Sequence, residues 1–323
     1  MSAVLQTATI LLGIGITIWA ADRFVDGAAQ TARALGVPAL VVGLTVMALG
    51  TSGPEIAASI LAAAQGYPAL AIGNALGSNI ANIGLIIGLT AMIVPLKLAS
   101  ASLRRELPLL VLVKLVTILL IANGELGRAE GLAMLVMLVL ALLWIIRIAL
   151  TPGRDDPLLA ELNSELPAET RMAPALFNLF LGLLLLLGAA QLLVWGAVGL
   201  AGSLGVSDLV IGLSIVAIGT SLPELATCIA AVLKRQHDIA VGNVIGSNLF
   251  NLLAVLPLPA LIAPGPLPSG ILGRDFPVML GLTLLLIILA RGFTRHGSIS
   301  RGQGLLLFAL FIAYQLGIFI AWN

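Results

Sequence analysis

Charge is what this chain lacks. Only 10% of its 323 residues are Asp, Glu, Lys or Arg, while 60% are hydrophobic. A soluble surface carries roughly 25% charge, so this chain cannot cover one. That excludes a water-soluble enzyme, a nucleic-acid binder and a disordered chain. With a single cysteine, Cys228, neither an internal disulfide nor a thiolate metal cluster can form. No basic residue precedes the first apolar run and no cleavage site follows it, so that run reads as a retained helix rather than a secretory signal. The short alternating segments of a membrane β-barrel are absent as well.

What remains is a polytopic all-α membrane protein. A membrane helix needs about 20 mostly apolar residues, and ten such spans are expected near 3–21, 38–65, 70–94, 106–122, 130–149, 175–200, 208–233, 239–262, 277–291 and 304–321. With the N-terminus placed outside, thirteen of the 16 Lys and Arg residues fall in inner loops, two, Arg128 and Arg274, in outer ones, and Lys114 inside a span. This follows the positive-inside rule and puts both termini outside an inner (plasma) membrane. The stretch 150–174, rich in Pro, Asp and Glu, reads as a cytoplasmic linker. Trp19, Trp144, Trp195 and Trp322 lie near span ends, where such rings favour the interface. His237 and His296 fall beside basic residues in inner loops and read as surface residues.

The chain repeats itself. GLTVMALGTSGPEIAASI from Gly43 returns as GLSIVAIGTSLPELATCI from Gly212, and AIGNALGSNIAN from Ala71 as AVGNVIGSNLFN from Ala240, both at an offset of 169 without a gap. The expected organisation is a first five-helix repeat over 1–149 with its motif at 43–84, the linker, and a second repeat over 175–323 with its motif at 212–253. An odd number of spans per half inverts the second half. Inverted repeats of this kind mark secondary transporters that bind their substrate near the bilayer midplane.

Among the 15 acidic residues, only Glu55 and Glu224 fall deep inside expected spans, and they are repeat equivalents. A charge near the bilayer centre costs at least about 2.5–3.5 kcal/mol, so a matched pair points to function. Thr51 and Ser52 precede Glu55 by four and three residues, as Thr220 and Ser221 precede Glu224, which on a continuous helix puts each trio on one face. Pro54 and Pro223 are expected to free the carbonyls of Gly50 and Gly219. The second cluster, GNxxGSNxxN, has small residues one turn apart that admit a close helix neighbour. Ser78, Asn82, Ser247 and Asn251 are expected to face the carboxylates. For Asn74, Asn79, Asn243 and Asn248, ligand contact and interhelical hydrogen bonding both stand. Only hard oxygen donors gather here, which suits Ca²⁺, Mg²⁺, Mn²⁺ or Na⁺ rather than zinc or copper. Cys228, whose counterpart is Ser59, reads as a small packing residue.

These motif pairs resemble the α-1 and α-2 repeats of the cation/calcium antiporter superfamily, most closely the sodium/calcium exchanger family in its short prokaryotic form, and the resemblance covers essentially the whole chain. It implies ten helices, with the second, third, seventh and eighth bearing ligands and the first and sixth sliding for alternating access. It implies a calcium site between Glu55 and Glu224 with the backbone carbonyls of Thr51 and Thr220. Sodium sites would use Ser52, Ser221, Ser78, Ser247, the threonine side chains and the carbonyls of Ala48 and Ala217. The chain departs from the family pattern in two places. Gly53 stands where many members have Leu before the motif proline, and Asn82 and Asn251 are both Asn where the best-known archaeal-type pattern pairs Asn with Asp. Stoichiometry therefore does not carry over.

The resulting expectation is a sodium/calcium antiporter that extrudes Ca²⁺. Ca²⁺ and Na⁺ are its substrates, the lipid bilayer its surroundings; it needs no cofactor, shows no obligatory protein partner and does not bind nucleic acid. The alternatives are a proton- or potassium-coupled divalent antiporter of the same superfamily, a cation channel and, more remotely, an intramembrane hydrolase. Lys114, near the middle of the fourth span, is expected to snorkel or pack uncharged at the bundle edge.

Overall fold

The computed structural model describes residues 3–37, 39–98, 105–149, 172–203, 217–292 and 297–322. All but the last three residues of the linker 150–174, the first part of the seventh expected span and His296 lie outside these residues, as do the side chains of Trp195 and Trp322. Helix α1 (Ala3–Leu35) is 33 residues long, about 50 Å at 1.5 Å per residue, and thus outruns the expected span 3–21. Its polar second half stays helical because nothing interrupts it before Gly36. That glycine, at φ 65°, ends the helix with bonds from its own N–H to Arg33 O and from Val37 N–H to Ala32 O, a left-handed cap of the kind glycine supplies.

α2 consists of Ala39–Val42, a π-helical turn Gly43–Met47, and Ala48–Thr51. The chain breaks at Ser52, and α3 (Gly53–Ala64) leaves at 47° to what precedes it. α4 runs from Pro68 to Ile93 with a π-helical turn at Asn82–Ile87. α5 (Leu107–Leu120) and α6 (Arg128–Ala149) complete the first half. The second half repeats the plan: α7 (Met172–Ser203), α8 (Ala217–Thr220), α9 (Leu222–Leu233), α10 (His237–Ile262, π-helical at Asn251–Val255), α11 (Phe276–Gly292) and α12 (Arg301–Trp322). Two short antiparallel ties join the halves, Leu96–Lys97 to Ser298–Ile299 and Glu125–Leu126 to Gly265–Pro266.

Among the described residues, six helices are long and apolar enough to cross a membrane, or seven if the pair bent at Ser52 counts as one span. α5, with 14 residues, is shorter than the span expected there, and α9, with 12, forms the last part of the seventh expected span.

Burial orders the layers. The spans α4 and α10 are 78% and 94% buried, against 17–39% for α6, α7, α11 and α12. The central pair is therefore wrapped by helices that turn residues such as Leu119, Leu184 and Ile320 outward. Apolar exposure on that scale would not persist in water; in lipid it is solvation. Long helices α1 and α7, related by the repeat, pack along each other. At their crossings a side chain on Gly27 would run into the Leu179 backbone, and one on Gly182 into Phe24. α2 packs on α10 with equal intimacy: a Cβ at Gly246 would lie 2.5 Å from Leu44 O, and one at Gly43 2.8 Å from Ile239 O. The small residues of the second motif thus let two backbones meet beside the acidic pair.

Candidate cation site

Each acid sits where a helix begins. Glu55 lies in the first turn of α3 and Glu224 in the first turn of α9, where unpaired N–H groups and the helix dipole favour negative charge. Pro54 and Pro223 occupy the same first turns, positions that need no N–H donor. The break falls at Ser52 and Ser221, whose ψ values near 5° lie outside the helical range. Two expectations are thereby corrected. Thr51, Ser52 and Glu55 do not line one face of a continuous helix, because the helix stops between them. The Gly50 carbonyl is not simply released, because a backbone N–H at the break still bonds to it.

The serines cross over between the halves. Ser52 Oγ donates to Glu224 Oε1 at 3.4 Å, and Ser221 Oγ lies 3.2 Å from Glu55 Oε1. Ser247 Oγ reaches Glu224 Oε1 at 3.4 Å, while Ser78 meets Ser221 at 3.3 Å. All six side chains are at most 1% exposed. These contacts are long for hydroxyl–oxygen bonds, which cluster near 2.7–2.8 Å, so the oxygens gather without closing on one another. The second carboxylate oxygen of each glutamate has no hydrogen-bond partner, and neither amide atom of Asn82 or Asn251 has one. Those two asparagines are fully buried and each opens a π-helical turn, a distortion frequent at functional sites. Unpaired buried oxygens are costly; a cation bound among them would satisfy them.

The other asparagines divide by role. Thr51 lies 3.3 Å from Asn243 Oδ1 and Thr220 3.4 Å from Asn74 Oδ1. Asn74 Nδ2 also reaches the Glu55 carbonyl and Ser59 Oγ, each at 3.2 Å. Asn74 and Asn243 therefore tie threonines of the opposite half to the core. Asn79 and Asn248 bond back to Ala75 O and Val244 O on their own helices. Cys228 Sγ touches Ala240 O as Ser59 Oγ touches Ala71 O, the packing role expected of it. Ala48 is fully buried on α2, and Ala217 opens α8.

Three further acids, Glu106, Asp238 and Asp275, are buried at helix ends, beyond the two the sequence singles out. Asp275 is held by Arg274 at 2.7 Å and by Tyr314 at 2.8 Å. His237 opens α10 and is partly buried rather than lying in a loop. Trp19 and Trp144 are exposed, at 48% and 38%.

Lys114 overturns its expectation. It neither snorkels nor lies at the bundle edge: it is 0% exposed, and Nζ donates to Thr283 Oγ1 at 2.7 Å and Asn248 Oδ1 at 3.3 Å. Thr283 lies 169 residues after Lys114, so repeat equivalents meet each other. The repeat offset was the signal that could have found this contact.

The comparisons with known proteins agree with the geometry. The family model described as sodium/calcium exchanger protein matches residues 5–147 and 174–320, parting where the linker falls. The putative antiporter CaxA of Alkalimonas amylolytica is 47% identical over 97% of this chain and 98% of its own. The inner membrane protein YrbG of Escherichia coli (strain K12) is 42% identical over 96% and 95%. A solved structure of the sodium-calcium exchanger NCX_Mj superposes with a TM-score of 0.83 at 32% identity, covering 97% of this chain and 98% of that one. With the family model matched along nearly the whole length and the fold shared with a solved exchanger, this integral membrane protein belongs to the sodium/calcium exchanger family.

Proposed function

We propose that the chain exchanges Na⁺ for Ca²⁺ by alternating access and uses the sodium gradient to extrude Ca²⁺. It is a cation antiporter rather than an enzyme, in keeping with its family. The observation that carries the reading is the crossed pair: two buried glutamates, each contacted by a serine of the other half and each keeping one unpaired oxygen. Two carboxylates balance one divalent or two monovalent cations, so Ca²⁺ and Na⁺ compete for one cage. Ca²⁺ takes about 6–8 oxygens. Glu55, Glu224 and the carbonyls of Thr51 and Thr220 would supply its first ligands. Ser52, Ser221, Ser78, Ser247, Asn82, Asn251 and the carbonyls of Ala48 and Ala217 would complete the flanking sodium positions. The halves, 1–149 and 175–323, would act as inverted five-helix units of ten spans in total, with both termini outside and 150–174 cytoplasmic.

The test is sodium-driven ⁴⁵Ca²⁺ flux in proteoliposomes. Glu55→Gln and Glu224→Gln are each expected to abolish it in protein that remains monodisperse. Full exchange in either variant would remove the assigned site. Flux that persists when choline replaces sodium at fixed pH would replace sodium coupling by proton coupling, and current without any counter-ion would indicate a channel.

A further inference from the structure

Lys114 is not used by the exchange reading, yet it is among the largest fully buried side chains of the molecule. Its amine is the donor in both of its contacts, because Thr283 Oγ1 gives its own proton to Met279 O and Asn248 uses its Nδ2 on Val244 O. No carboxylate lies within ion-pair distance of it among the described residues. A charge buried among neutral oxygens is costly unless opposite charge lies near it. Asn248, one of the two partners of Lys114, directly follows Ser247, whose hydroxyl contacts Glu224. The contact between Lys114 and Thr283 joins α5 to α11, and α5 also packs on α10 while α11 packs on α4. By the repeat, Thr283 stands to Asn79 as Lys114 stands to Asn248. The Asn79 oxygen has no partner among the described residues. Both oxygens on the Lys114 amine belong to the second half, so a first-half lysine is held by neutral oxygens of the other repeat, and at the mirrored position, Thr283, the sequence supplies a hydroxyl instead of an amine.

We propose that Lys114 is a tethered cation of the exchange site, filling a position among Asn248 and Thr283 that would otherwise suit a mobile monovalent cation and setting how tightly the carboxylate pair holds its ions. The proposal rests on the reading of Glu55 and Glu224 as the cation cage. With the ammonium in place, an empty cage carries a net single negative charge instead of two, which weakens cation binding and favours release. Lys114 is a specificity-determining residue that acts through the field at the site, without contacting the ions.

The experiment measures ⁴⁵Ca²⁺ binding and sodium-driven flux for purified wild type, Lys114→Thr, Lys114→Arg and the transposed double variant Lys114→Thr/Thr283→Lys. Lys114→Thr is expected to tighten Ca²⁺ half-saturation by at least about tenfold, because removing one unit charge relieves a repulsion that acts doubly on a divalent ion. Lys114→Arg keeps the charge and is expected to stay near wild type. The transposed variant returns an ammonium to the mirrored position and is expected to reverse the shift, which restored packing alone would not do. Unchanged half-saturation in folded Lys114→Thr overturns the proposal, as does a transposed or arginine variant that behaves like Lys114→Thr. If Lys114→Thr does not fold, the transposed variant decides: wild-type half-saturation supports the proposal, and a folded protein with shifted half-saturation overturns it. A wild type without saturable Ca²⁺ binding would instead sink the cage reading, so the two failures are distinct.

Discussion

Replacing Gly246 by alanine adds one methyl group at the closest approach of α2 and α10. Its Cβ would lie 2.5 Å from Leu44 O, 2.5 Å from Ala48 Cβ and 2.9 Å from Leu44 C. Carbon contacts are comfortable at about 3.5–4.0 Å, so the helices must part by roughly 1 Å. Two of the three atoms belong to the backbone and cannot rotate away. Overpacking of this kind costs about 1–3 kcal/mol, or roughly 2–4 °C of melting temperature per kcal/mol on the scaling of domains of 150–250 residues. The functional loss should be larger than the stability loss. Gly246 neighbours Ser247, which contacts Glu224 at 3.4 Å, and Ala48 is one turn from Thr51, which contacts Asn243 at 3.3 Å. Parting the helices lengthens contacts that are already long. The expected outcome is a melting temperature several degrees lower, measured by size-exclusion thermal shift, and ⁴⁵Ca²⁺ exchange at least about tenfold lower. Gly281→Ala, whose Cβ would meet nothing within 4 Å, should leave both at wild-type values. A Gly246→Ala protein as stable and active as wild type would refute the claim that close backbone approach builds the site.

Other perturbations separate binding from folding. Ser52→Ala and Ser221→Ala each remove one crossed hydroxyl, and Ca²⁺ half-saturation in flux assays should rise about threefold to tenfold, matching roughly 0.5–1.5 kcal/mol per bond. Asn82→Ala deletes a buried amide with no partner, so thermal stability of the apo protein should hold or rise while sodium-dependent flux falls; a parallel loss of both would mean that the amide serves the fold. Saturating Ca²⁺, at about 100 times its dissociation constant, should stabilise wild type by about 2.7 kcal/mol and give no shift in Glu224→Gln. Lys234→Gln breaks contacts of 2.7 Å to Asp22 and Asp26; because these pairs are substantially exposed, melting should move by less than about 1 kcal/mol equivalent.

The parts of the site legible in the sequence were those with a strong local signal. Glu55 and Glu224 stood out because a buried acid is expensive and because the repeat placed both in register. One-turn spacing singles out Ser78 and Ser247, which the structure brings to Ser221 and Glu224; it also singles out Asn82 and Asn251, whose buried amides have no hydrogen-bond partner. The crossing was not legible. Periodicity says that Ser52 and Glu55 share a face, but it cannot say that the helix stops at Ser52 and turns its hydroxyl to the other half's acid. The π-helical turns at Asn82 and Asn251 were not legible either: Gly84 lies inside the first and Pro257 just after the second, but such residues also occur in regular helix and do not by themselves call for a π-turn. Lys114 was misplaced because span-level reasoning knows depth but not direction. A lysine at mid-span faces either lipid or protein, and only the packing of α5 on α10 and α11 turned it inward.

Under the proposed exchange, the crossed arrangement also bears on how one site would serve two ions. Glu55 belongs to α3 of the first half, yet its hydroxyl partner Ser221 belongs to the second, and the converse holds for Glu224 and Ser52. Neither half therefore contains a complete site, and any movement between the repeats alters both carboxylates together. An empty cage leaves one oxygen of each buried glutamate and the amides of Asn82 and Asn251 unpaired, and there the full desolvation penalty of each group applies. A cation at the centre satisfies both halves at once and cross-links them. In the proposed mechanism the occupied site would therefore be the form enclosed during a change of access, whereas an empty one would be better kept open to water. In the proposed exchanger, coupling between the ions would follow from this shared enclosure, because the same orphaned oxygens would need to be satisfied whether one divalent or two monovalent cations fill the space between Glu55 and Glu224.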